Sequence, residues 1–153
     1  MNAVTPSQTI GPFLLLGLSD AFGAELVPAD APGAIRLHGS VLDGAAAGVP
    51  DAVVELWQDG AGFARCDTRH GGRFEFVVVR PGRADWFEVG VFARGLLKRV
   101  ATRFYFPDAA ADVVLDGIEP GRRATLLASA EPDGSLRFDI RLQGDAETVF
   151  FAQ

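Results

Sequence analysis

The sequence predicts an all-β fold, a single-domain β-sandwich with an extended N-terminal arm, and three observations point to it. From Ile35 onward, apolar residues recur at every second position in one segment after another. Turn signals such as Asp43-Gly44, His70-Gly71-Gly72 and Pro132-Asp133-Gly134 separate these segments. Helical periodicity is almost absent, and many short alternating segments between such turns are the pattern of a sandwich. The 153 residues fit one domain, and 48% apolar with 22% charged residues is a globular composition. A domain of this size hides about two thirds of its unfolded surface and needs no staple to fold.

Residues 1–34 read as the arm. Pro6, Pro12, Pro28 and Pro32 fix φ and remove backbone donors, which disfavours a regular element. An arm is normally polar, yet this one carries Phe13, Leu14, Leu15, Leu16, Leu18 and Phe22. Contiguous apolar surface of that kind marks a contact, either with the domain's own sheet or with another subunit.

Residues 35–153 read as the sandwich. Ile35, Leu37, Gly39 and Val41 alternate with Arg36, His38 and Ser40; after a turn running to Pro50, Ala52 to Gln58 forms a second strand. A short strand follows near Phe63 to Cys66, and Arg73 to Val79 places Phe74, Phe76 and Val78 on one face. The central hairpin comes next. Phe87, Val89 and Val91 alternate with Glu88, Gly90 and Phe92; Val100, Thr102, Phe104 and Phe106 alternate with Ala101, Arg103 and Tyr105; and Arg94 to Lys98 joins the two strands. Ala109 to Leu115 fits either one helical turn or a loop. Arg123 to Ala130, Ser135 to Gln143 and Thr148 to Phe151 complete the predicted strands.

Charge and composition exclude several functions. A net charge of −6, with basic residues scattered singly or in pairs, lacks the concentrated basic face of a nucleic-acid binder. No Lys or Arg precedes Arg36, so the apolar run Ile10 to Leu18 has no charged n-region, and it is far shorter than the ~20 residues of a membrane span. These features predict a cytoplasmic chain.

Catalytic candidates are few. His38 lies mid-strand on the polar face and His70 in a turn; both read as surface or hydrogen-bonded residues, with no third ligand at zinc-like spacing. The single cysteine, Cys66, reads as a small, partly buried hydrophobe. Tyr105, the sole tyrosine, sits between Phe104 and Phe106 and reads as packing at a strand edge. Glu88 is an acid without a named partner.

Five blocks carry a resemblance. Thr5-Pro6-Ser7-Gln8-Thr9-Ile10-Gly11-Pro12-Phe13, Phe92-Ala93-Arg94-Gly95, Thr102 to Phe106, Arg122 to Leu126, and Phe138 to Gly144 with Glu147 to Phe151 resemble, in this order, the intradiol ring-cleavage dioxygenases. They are most similar to the non-catalytic α type found in the two-subunit members. The similarity runs nearly end to end, although this chain is shorter between arm and hairpin.

The resemblance implies a division of labour. In the catalytic β type, two Tyr and two His hold Fe(III), the His pair forming a His-x-His on the central strand. Here Trp86 and Glu88 stand in those places, and Pro81-Gly82 is followed by Arg83-Ala84 rather than by tyrosine. One tyrosine cannot supply two ligands. The resemblance therefore implies that this chain binds no metal and that the partner β subunit holds the Fe(III). It further implies that Thr9, Gly11, Pro12, Phe13 and Arg94 contribute to the wall of the partner's substrate pocket. Phe13 lacks the hydroxyl that many relatives carry as Tyr. An arginine such as Arg94 would orient a carboxylated catechol through its planar fork of donors. The implied reaction inserts both atoms of O₂ into an ortho-dihydroxybenzoate between its hydroxyls, giving 3-carboxy-cis,cis-muconate. The rival reading starts from Val41 to Leu56, which also resembles the opening of transthyretin-like or regulatory sandwiches that bind or brace without catalysis. A homomeric scaffold without a catalytic partner is the third possibility.

Overall fold

The computed structural model describes residues 4–11, 13–18 and 23–152; Pro12 and Phe22 lie outside these. Nine strands among the described residues form two sheets. The first contains β1 (Ala34–Leu42), β4 (Arg73–Val79), β7 (Ser129–Ala130), β8 (Leu136–Arg137) and β9 (Ile140–Arg141), in the order β4-β1-β8-β7 with β9 also on β1. The second contains β2 (Val53–Gln58), β3 (Gly62–Asp67), β5 (Trp86–Phe92) and β6 (Val100–Tyr105), in the order β3-β2-β5-β6.

The alternation seen in the sequence is what the sheets bury. Leu37, Val41, Phe74, Phe76 and Val78 face inward from the first sheet, and Val54, Leu56, Phe87, Val89, Val91 and Phe104 from the second. Phe87 and Phe104 lie across the β5–β6 pair with ring centroids 5.5 Å apart and planes nearly parallel, and Phe104 reaches Phe138 of the opposite layer at 5.9 Å. Each such side chain contributes roughly 1.5–3 kcal/mol on burial, so this layer dominates the stabilising terms.

The C-terminal third departs from the sequence reading. Arg123 to Ala130 is not one strand: α3 (Pro120–Arg123) and a 3₁₀ turn (Ala124–Leu126) precede the two-residue β7. Glu119 caps α3 by accepting from the Gly121 amide, and Pro120 stands where its missing donor costs nothing. Ser135 to Gln143 is split into β8 and β9 around Phe138-Asp139, both parallel to β1 rather than joined to it by a hairpin. In Thr148 to Phe151 only an isolated bridge, Phe151 to Ala101, remains of the predicted strand. The undecided stretch before Leu115 ends in one helical turn, α2 (Val113–Asp116), with the Asp112 carboxylate accepting from the Val114 and Leu115 amides.

Tyr105 packs on β6, the edge strand of its sheet, as its neighbours predict. It is fully buried, in a second cluster with Leu115 and Leu126 beneath α2 and the 3₁₀ turn. Within the arm, α1 (Leu14–Gly17) is a single helical turn. Residues 23–26 then bond to both layers, Gly23 to Arg65 of β3 and Glu25 to Val77 of β4, which covers the open edges of both strands.

Candidate functional site

The turn between β5 and β6 carries Arg94 and Gly95. Gly95 has φ +94°, a left-handed conformation that glycine adopts without a Cβ penalty, and the Leu96 amide closes the turn on the Ala93 carbonyl at 3.1 Å. The arm crosses here. The Gly95 amide donates to the Thr9 hydroxyl oxygen at 2.7 Å, although 86 residues separate the two. On either side of Thr9, Gln8 and Ile10 line a cavity of about 120 Å³ with Phe92, Ala93, Leu96, Lys98 and Arg99.

Arg94 is held from the opposite side. Its Nε lies 3.1 Å from Asp51 Oδ2, the guanidinium side chain being 67% exposed and the Asp51 side chain 18%. Sequence reading missed Asp51. The signal was nonetheless present in strand register, because Val53 pairs with Phe92 in the antiparallel β2–β5 ladder and one step of the pleat further places Asp51 opposite Arg94. The Arg94 terminal nitrogens have no partner among the described residues, which leaves a planar donor pair on an exposed side chain.

Of the sequence-predicted positions, Thr9 and Arg94 are thus brought to one turn. Gly11 and Phe13 lie further along the arm: the Gly11 carbonyl accepts from the Leu14 amide at 3.2 Å, no atom stands within 4 Å of where a Cβ would be, and Phe13 is 75% exposed. Neither is hydrogen-bonded to the turn among the described residues. Pro12 is outside them.

The places implied for a His-x-His hold different chemistry. Glu88 Oε1 accepts from Arg99 Nη2 at 2.7 Å, and the Arg99 guanidinium lies over Gly90, where a Cβ would come within 3.0 Å of its Cζ. Trp86 is covered by Arg103, whose guanidinium carbon sits 3.6 Å from the ring centroid, a cation–π contact. Arg103 also donates to the Tyr105 hydroxyl at 3.2 Å and pairs with Asp112 at 3.4 Å. Burial, only partly offset by Arg103, pushes the Tyr105 phenol above its ordinary range, so it stays protonated and donates to Asp112 at 3.1 Å. Two guanidinium groups therefore cover this stretch of the sheet's outer face.

A cavity of about 820 Å³ lies elsewhere, lined by residues of β1 and β4 and by Arg65, Cys66 and Asp67 of β3. It holds both histidines, with Arg73 and Cys66. Burial raises the Cys66 thiol pKa, which argues against a nucleophile.

No protein-family model matches the chain. Among curated proteins, the protocatechuate 3,4-dioxygenase alpha chain of Burkholderia cepacia is 38% identical, with 96% of each chain covered. The alpha chain of that name from Pseudomonas putida is 37% identical over 96% of this chain and 95% of its own. The chain belongs to the protocatechuate 3,4-dioxygenase alpha-chain family. The alignment with the Burkholderia alpha chain runs over 189 positions against a chain of 153, so parts of that relative have no counterpart here.

Solved structures agree on the fold. The dioxygenase domain of a dioxygenase–carbohydrate-binding fusion from Streptomyces sp. SirexAA-E superposes with a TM-score of 0.59 at 24% identity, covering 80% of this chain and 88% of its own. Catechol 1,2-dioxygenase from Pseudomonas arvilla C-1 gives 0.55 at 20% identity, covering 82% and 58%.

Intradiol dioxygenases imply iron, and the residues of this alpha-family chain do not fit it. Its one tyrosine is sealed in the core with its hydroxyl committed to Asp112, while both histidines line the cavity beside β1, β4 and β3. Among the described residues no group of three or more His, Cys, Asp or Glu is placed to hold a metal ion. Among the same residues no helix is long and apolar enough to cross a membrane.

Proposed function

We propose that this chain is the non-iron-binding α subunit of a protocatechuate 3,4-dioxygenase, which cleaves protocatechuate with O₂ to 3-carboxy-cis,cis-muconate. The ferric ion belongs to the partner β subunit. This chain forms part of the interface with that subunit and part of the substrate-pocket wall, through Thr9, Gly11, Pro12, Phe13 and Arg94. The atoms balance without a further reductant: one substrate and one O₂ give one ring-opened product.

The observation that carries this reading is the contact of the arm with the Arg94-Gly95 turn, Gly95 amide to Thr9 hydroxyl at 2.7 Å. It brings a backbone-lined arm and an exposed guanidinium to one place, a combination suited to a planar ring bearing a carboxylate. The arm lets a flat ring approach its backbone at Gly11, and Arg94 supplies parallel donors to the carboxylate. Arg94 thus fixes which end of the ring enters first. Exposed apolar side chains near this end, Phe13 and Leu97, suit a partner subunit.

The test is co-expression with the iron-carrying chain from the same source, followed by O₂ uptake on protocatechuate. Activity in the complex and none from this chain alone is the expected result. Ring cleavage by this chain alone, or a β chain whose KM for protocatechuate does not change when this chain is removed, would overturn the proposal.

A further inference from the structure

We infer that Thr9 is a positioning residue whose hydroxyl latches the arm onto the Arg94-Gly95 turn, so that the wall is assembled within this chain before any partner binds. The inference rests on the wall reading above for its functional consequence, and on geometry for the latch itself.

Both capacities of the Thr9 hydroxyl are committed. Its oxygen accepts from the Gly95 amide at 2.7 Å, and its proton is directed to the Ile10 carbonyl at 3.3 Å. A hydroxyl so engaged serves the arm and the turn rather than a ring beside them. The amide it satisfies has no other acceptor among the described residues, since the turn closes one residue later, through the Leu96 amide. Gly95 sits at φ +94°, which glycine adopts without a Cβ penalty, and its N–H is directed to the arm.

The latch is flanked on both sides. Gln8 and Ile10 share a cavity with Phe92, Ala93 and Leu96, and Ile10 is half-buried there. Asp51 grips Arg94 one residue before the latched amide. Arm, turn and the start of β2 therefore form one continuous set of contacts inside a single chain. Gly11 follows Thr9 by two residues, and its carbonyl starts α1. Fixing Thr9 fixes the offset of the arm's remaining wall residues from Arg94.

One neutral hydrogen bond at an exposed site corresponds to a three- to tenfold effect. The variants are Thr9→Val, which keeps the shape and loses the hydroxyl, and Thr9→Ser, which keeps the hydroxyl; Arg94→Ala is the reference. Thr9 is exposed, so none of these changes threatens the core. In the isolated chain, Thr9→Val is expected to speed hydrogen exchange at the Gly95 amide three- to tenfold, and Thr9→Ser to restore protection. In the complex with the iron-carrying chain, Thr9→Val is expected to raise KM for protocatechuate three- to tenfold with kcat within twofold, and Thr9→Ser to return KM toward wild type.

Unchanged Gly95 exchange in Thr9→Val overturns the latch, whatever Arg94→Ala does. A KM raised by Thr9→Ser but not by Thr9→Val also overturns it, because the methyl group rather than the hydroxyl would then matter. Faster Gly95 exchange together with unchanged KM in both Thr9→Val and Arg94→Ala leaves the latch standing and overturns the wall reading instead.

Discussion

If Arg94 receives the substrate's carboxylate as proposed, replacing it with alanine separates that recognition from everything else the complex does. In the folded chain the Arg94 Nε is beside Asp51 and the terminal nitrogens have no partner among the described residues, so on the proposed reading a carboxylate would meet two parallel donors held from behind. Charge-assisted hydrogen bonds contribute ~1.5–3 kcal/mol, and the exposure of this side chain puts the figure toward the lower end, about 1–2 kcal/mol. A second effect has the same sign. Without Arg94, the Asp51 carboxylate faces the incoming anion unpaired, adding repulsion of about 0.5–1 kcal/mol in water-like surroundings. Together these raise KM for protocatechuate roughly ten- to a hundredfold, at 1.4 kcal/mol per factor of ten. Catechol, which has no carboxylate, should be affected less than about threefold. Arg94→Lys keeps the charge but not the fork and should fall between. Adding Asp51→Asn to Arg94→Ala should recover the repulsive part, up to about fivefold. The assay is steady-state O₂ uptake on both substrates in the assembled complex. Equal losses on protocatechuate and catechol, or none on either, would refute the reasoning.

Three further outcomes follow from the fold. Gly39→Ala drives a Cβ into the Phe138 carbonyl oxygen and to 2.9 Å from the Phe74 ring, neither of which is a flexible side-chain end; urea unfolding should show a loss of about 3–5 kcal/mol or no folded protein. Because Tyr105 is the only tyrosine, its absorbance titration reads one group, and the midpoint should lie above the usual phenol value of about 10. Its pKa is raised on folding, so its contribution is fully present below pH 10 and lost as pH rises through the folded value, and Tyr105→Phe should remove that alkaline dependence. Asp133 is held at about 2, first by the Ser135 hydroxyl, then by the Ser135 amide and by Arg36. Its depressed pKa stabilises the 131–135 turn above about pH 4, an effect lost as pH falls toward 2, and a carboxyl NMR titration should show that midpoint.

The parts of the fold legible in the sequence are those where burial is strictly one-sided. Phe74, Phe76 and Val78, and Phe87, Val89 and Val91, alternate with residues on the outer face, and their strands fall where the alternation places them. The C-terminal third was less legible because its elements are set by long-range contact. Leu136, Phe138, Ile140 and Leu142 keep the alternation of a strand, yet the strand breaks where Phe138 crosses over Gly39. One local signal, Glu119-Pro120 as a helix start, was available for α3 and outweighs the strand pattern after it. The elements that bury Tyr105 were not legible, because Leu115 of α2 and Leu126 of the 3₁₀ turn reach it from later in the chain. At the candidate site, Arg94 and Thr9 could be named only through resemblance. The Asp51 pair and the Thr9 latch depend on β2–β5 register and on where the arm lands, neither of which local periodicity encodes.

The central claim is that this chain works without a metal of its own beside a subunit that holds the iron. Native mass spectrometry with metal analysis, on the complex and on the two chains separated from it, tests this most directly. The account predicts fixed stoichiometry with a larger partner, iron and visible tyrosinate absorption in the complex and in the partner, and neither in this chain. Stoichiometric iron on this chain, or a colourless, iron-free assembly made of this chain only, would contradict it.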